Sequence, residues 1–174
     1  MASVVDVAES ILTSLGPMDT FRLQKLVYYS QAVHLARTGE PLFAERIEAW
    51  SNGPCAPVLY SQHRGSWHVA TVGGDGAALG EVELASVRRT SEYYGSQDSQ
   101  WLVNQTHLED PWRDARRGVP EGARSDHEIT VAAIRDYYAP ILDDPELIAA
   151  LASVVPGGGL TAEEIDSKYR RYRQ

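Results

Sequence analysis

Residues 21–37 are apolar on nearly every side of the helix they predict. Phe21, Leu23, Leu26, Val27, Tyr28, Tyr29, Ala32, Val33, Leu35 and Ala36 leave only a narrow polar stripe. A helix with that pattern is enclosed by neighbours rather than laid on a surface. Asp19 or Thr20 can cap its start by accepting from free backbone N–H groups, and Gly39 can close its end in a left-handed turn. Upstream, Val4, Val5, Ala8, Ile11, Leu12 and Leu15 recur at helical spacing until Gly16-Pro17 stops them.

Past the central helix the pattern is less regular. Leu42, Phe43, Ile47, Ala49 and Trp50 suit a short strand or a bent helical turn, and the chain bends at Asn52-Gly53-Pro54 before a short helix over residues 56–63. Residues 65–80 are rich in glycine, with Trp67, Val69 and Val72 alternating as in a brief strand. Helices follow over 82–94 and 99–107, separated by Gly95-Ser96. Ser125-Asp126-His127-Glu128 reads as a capping box opening a helix that carries Ile129, Val131, Ala132, Ile134, Tyr137 and Tyr138. Asp144-Pro145 starts another helix. Beyond the glycine joint at 156–159, Thr161 and Glu164 open a last one, acidic early and basic late. The expected fold is mainly α: a single compact helical domain round a buried central helix at about 20–38. A small two- or three-stranded β element is placed near 43–50 and 67–72. The expected division is a domain over 1–142 and a C-terminal helical extension over 143–174.

Composition narrows the function classes. The 174 residues carry a formal net charge of -8, which argues against a large nucleic-acid footprint, since that needs clustered Lys and Arg. It suits encounter with a basic partner. The single cysteine, Cys55, excludes an intrachain disulfide and a cysteine-based zinc site. No apolar run approaches a membrane span, and the N-terminus lacks the order of a secretory signal. The expected compartment is the cytoplasm, with no membrane partner.

Chemistry-bearing residues are sparse. His107 stands near Glu109 and Asp110 and could serve as a general base or metal ligand; equally, Thr106 and His107 could secure a helix end while Trp112 fills the core. His34, His63, His68 and His127 have no ligand spacing such as HExxH, and His34 reads as a hydrogen-bonded core residue. Residues 73–80, GGDGAALG, lack the GK[ST] ending of a phosphate loop. No catalytic residue, metal ligand or cofactor is assigned.

Three patches carry a family resemblance. The first runs Leu23-Gln24-Lys25-Leu26 through Tyr28-Tyr29 to Gly39, Pro41 and Leu42. The second is Glu48-Ala49-Trp50, then Gly53-Pro54 and Val58-Leu59-Tyr60. The third is Thr106-His107 with Pro111-Trp112. Together, over roughly residues 5–140, they resemble the Panacea domain, the family of SocA-like antitoxins also named after phage-associated GepA proteins. The resemblance implies a mostly helical antitoxin that neutralises a toxin in phage defence, and a cognate protein toxin encoded nearby. The founding SocA member delivers its toxin to a protease, so a protease is admitted as a second partner. A homodimer is left open.

On this reading the chain is a binding module rather than an enzyme, and Leu23, Lys25, Leu26, Tyr28, Trp50, Gly53, Pro54, Tyr60, Thr106, His107, Pro111 and Trp112 are mainly structural. The expected exposed anchors for a toxin are Tyr93, Tyr94, Arg116, Arg117, Tyr169, Arg170 and Tyr172, because aromatic and arginine side chains dominate interface energetics. The rivals are a small metal-dependent hydrolase centred on His107 and a DNA-binding autorepressor.

Overall fold

The protein is described here from a computed structural model over residues 1–142. Seven helices occupy the described residues: α1 (Val4–Leu15), α2 (Thr20–Thr38), α3 (Pro57–His63), α4 (Glu81–Tyr94), α5 (Ser99–Leu108), α6 (Asp110–Ala115) and α7 (Val131–Leu142). Five short strands accompany them: β1 (Met18–Asp19), β2 (Ile47–Trp50), β3 (Gly53–Cys55), β4 (His68–Val69) and β5 (Glu128–Ile129). The helices expected from residues 144 and 161 onward lie outside the described residues, as do Tyr169, Arg170 and Tyr172.

Because α2 is apolar on nearly every face, it lies in the middle, with α1, α4, α5 and α7 packed round it. Fourteen of its nineteen residues are buried, so no face is left for solvent. Asp19 caps its start by accepting from Arg22 N at 3.0 Å, with Thr20 as the first helical residue. Gly39 ends it at φ +78°, a conformation in which a side chain is strained.

Two glutamines inside α2 bond to backbone that lies outside any helix or strand. Gln31 accepts from Leu42 N at 2.7 Å and donates to Phe43 O at 3.1 Å. Gln24 does the same for Ala56, accepting from its N at 2.9 Å. His34 shares a hydrogen bond of 2.9 Å with Ser86 on α4, which fits its reading as a bonded core residue.

Two expectations are corrected here. The β element is two separate sheets: β3-β2-β5, antiparallel throughout, and β1-β4. Residues 68–69 therefore pair with 18–19 and not with 47–50. Nor do residues 125–128 cap a helix. Glu128 and Ile129 form β5 opposite Glu48 and Ile47, and α7 starts at Val131 with Thr130 Oγ1 accepting from Ala133 N at 3.1 Å. The open edge of β2 and a buried place for Ile129 in the core outweigh the local cap, which offers one or two hydrogen bonds.

The glycine-rich segment is held along α1. Val72 N donates to Glu9 at 2.9 Å and Asp75 N to Asp6 at 2.8 Å. A Cβ on Gly74 would stand 2.4 Å from Val5 O, so only glycine lets this backbone lie so close to the helix.

Candidate functional site

The three motif patches, distant in sequence, meet at one corner of the domain. Lys25 projects from α2 toward the β2–β3 turn, where its Nζ donates to Pro54 O at 3.1 Å. Gly53 sits there at φ +98°, and a Cβ on it would stand 2.4 Å from Lys25 Cε and 2.7 Å from Thr106 Oγ1. Any side chain at 53 would thus displace members of the other two patches. Trp112 Nε1 donates to Trp50 O at 2.8 Å, and the His107 ring stacks on Trp112 at 4.0 Å. Pro111 is buried. Leu23, Leu26 and Tyr28 lie in the core, as their place in the enclosed central helix requires.

A cavity of about 330 Å³ opens above Lys25, within the size range of small ligand pockets. Phe21 and Gln24 of α2, Trp50 of β2, Tyr60 and His63 of α3, and Trp67 line it. Its walls are aromatic. Trp50 packs edge-on to Tyr60 at 4.9 Å and Phe21 packs on Trp67 at 5.4 Å. The floor is polar, with Gln24 Nε2 donating to His63 Nε2 at 3.0 Å. Trp67 is 70% exposed, yet its backbone is fixed: its carbonyl accepts from Thr20 N at 3.0 Å, beside the β1-β4 pair.

Lys25 is 2% exposed. Burial pulls its ammonium down to about 8, with the Cys55 thiol and Asp19 opposing, because a charge in a low-dielectric interior is disfavoured. Burial in turn pushes the Cys55 thiol up to about 12, which leaves it a neutral, unreactive side chain.

Expectations about His107 and Glu109 separate. Burial, with Lys25 and Arg116 nearby, holds the His107 imidazole down to about 4. Its Nε2 is buried without a hydrogen-bond partner among the described residues. The Glu109 carboxylate is engaged elsewhere, accepting from Tyr29 at 3.1 Å, from Gln105 at 3.1 Å and from Tyr138. Burial and Glu109 push the Tyr138 and Tyr28 phenols well up, so both stay neutral, with Tyr138 donating to Glu109 and lying 3.3 Å from the Tyr28 hydroxyl. Among the described residues no group of three or more His, Cys, Asp or Glu side chains could hold a metal ion.

Three of the expected exposed anchors are corrected. Tyr93 is 5%, Tyr94 1% and Arg116 7% exposed. Tyr94 stacks on Tyr29 at 3.9 Å. The Arg116 guanidinium donates to Ala49 O at 2.8 Å and Ala123 O at 2.7 Å and lies over Trp112. These groups are already committed inside the fold. Arg117 is exposed and pairs with Asp114 at 2.7 Å, away from the cavity lining. The sequence reading missed Phe21, Gln24, His63 and Trp67 as site residues. The one available signal was Trp67 itself, a large ring set among glycine, serine and histidine.

The family model described as antitoxin SocA-like, Panacea domain, matches residues 23–113, just over half of the chain. The protein belongs to that family, and its role is of the antitoxin type. No curated protein and no solved structure matched the chain. The match spans all three patches and the corner they build. Among the described residues no helix is long and apolar enough to cross a membrane.

Proposed function

We propose that this protein neutralises a cognate protein toxin by binding it directly, as a stoichiometric module without catalysis of its own. The observation that carries the reading is membership of the SocA-like antitoxin family over residues 23–113. The aromatic cavity beside Lys25 supports it as the place of contact. Effective neutralisation calls for nanomolar affinity, about 12 kcal/mol, and such interfaces concentrate their energy in a few aromatic anchors set against a pocket. Trp67 is such an anchor: exposed, held by its backbone and backed by Phe21. Its position is fixed before any partner arrives, so little ordering entropy opposes binding there.

The test is growth. The neighbouring reading frame, expressed alone, should arrest cells, and co-expression with this chain should restore them and yield a complex that co-purifies at one-to-one ratio. Arrest that this chain does not relieve would refute the proposal. Relief without any complex would refute direct binding.

A further inference from the structure

Lys25 is the one fully charged side chain lining the cavity, and no carboxylate shares that lining. Its ammonium has three N–H donors, of which Pro54 O takes one. No ion pair involving Lys25 occurs among the described residues. The acid whose charge acts on it, Asp19, already accepts from Arg22 N and Ser99 Oγ. A buried cation without a counter-charge is costly unless something arrives to pair with it. The chain as a whole carries -8, so a lone cation in an acid-free aromatic pocket stands against the surrounding field. Its charge matches a single carboxylate rather than a phosphate, which calls for several cations or an arginine fork.

Resting on the antitoxin reading above, we propose that this cavity receives an acidic segment of the partner. One carboxylate would hydrogen-bond to Lys25 Nζ, and an adjoining apolar side chain would lie between Trp67 and Trp50. The aromatic walls exclude water from the ion pair, which strengthens it, while the apolar side chain supplies the buried area.

The test uses the full chain and two small probes, 3-phenylpropionate and 3-phenylpropionamide, titrated against tryptophan fluorescence. At pH 7 the acid should bind at least tenfold more tightly than the amide. That gap should close in Lys25→Met. It should also narrow roughly tenfold in the unmodified chain at pH 9, as the lysine loses its proton. Three titratable groups near Lys25 keep their charge between those values: Cys55 on β3 is held near 12, His107 on α5 near 4, and His63 on α3 is lowered by burial. The pH comparison needs no variant, so it decides the matter even where Lys25→Met fails to fold. Equal affinities at pH 7, a gap unchanged at pH 9, or no binding of either probe would overturn the inference. The probes need no toxin, so the two readings fail separately. Acid-selective binding without cell rescue leaves the carboxylate seat and removes the toxin as its source. Rescue with equal probe affinities keeps the antitoxin and removes the seat.

Discussion

Replacing Lys25 with methionine should make the isolated protein more stable at neutral pH. The lysine is fully buried, and its ammonium is pulled from 10.5 to about 8. At about 1.4 kcal/mol per pH unit, holding the charge inside costs about 3 kcal/mol below pH 8. Methionine has similar length, carries no charge and fills the same apolar channel. It also removes the hydrogen bond to Pro54 O, a loss of about 1 kcal/mol. The expected net gain at pH 7 is therefore about 2 kcal/mol, read as an upward shift of the urea midpoint at unchanged slope. The pH dependence carries the sharper content. Between pH 8 and 10.5 the unfolded chain binds the lysine proton while the folded chain does not, so native stability rises with pH in that window. The advantage of Lys25→Met should shrink there and vanish or reverse by about pH 10. A variant destabilised equally at pH 7 and pH 10 would refute the reasoning, because Lys25 would then be a structural strut and not a strained charge kept for a ligand.

Other outcomes follow from the same geometry. Gly53→Ala adds a Cβ 2.4 Å from Lys25 Cε at φ +98°, so a loss of about 2–4 kcal/mol in urea unfolding is expected; a loss below about 1 kcal/mol would show that the corner yields. Glu109→Leu removes the buried carboxylate that Tyr29, Tyr138 and Gln105 share as acceptor, a loss of about 3 kcal/mol or more at about 1 kcal/mol per hydrogen bond. A thermal melt at the native midpoint would contradict that network. Acidification should destabilise the fold between pH 6.5 and 4. His107, His34 and His63 are all lowered by burial, so the unfolded chain takes up protons there that the folded chain refuses. A flat stability profile across that range would contradict it.

Features set by neighbours along the chain were legible in the sequence. The ends of α2 follow from Asp19 and Gly39, each acting within one turn, and its burial follows from apolar side chains on every face. Features set by distant segments were not. The Ser125 to Glu128 pattern states a cap, but the strand edge that claims residues 128–129 belongs to β2, far back in the chain. Tyr94 reads as an exposed aromatic beside a Gly95 break, while its ring is covered by Tyr29 of α2. Arg116 resembles an interface arginine until the carbonyls that converge on it from 49 and 123 are seen. The site divides the same way. The three motif patches are readable as residues, but Lys25, Gly53 and Thr106 touch only through tertiary packing, and the cavity exists only once they do. Trp67 alternates with Val69 and Val72 as in a brief strand, a pattern that says nothing of its exposure, and its ring is left in water.

The proposed function turns on a partner docking at the aromatic cavity. Trp67 is its cleanest probe, because a ring so exposed adds little to stability, so its removal leaves the fold intact. The affinity of the co-purified toxin for Trp67→Ala, measured beside the unmodified chain by isothermal titration, tests the claim directly. Loss of a central aromatic anchor typically costs about 2 kcal/mol or more, so affinity should fall about thirtyfold at an unchanged melting temperature. Equal affinities for the two chains would place the partner away from the cavity.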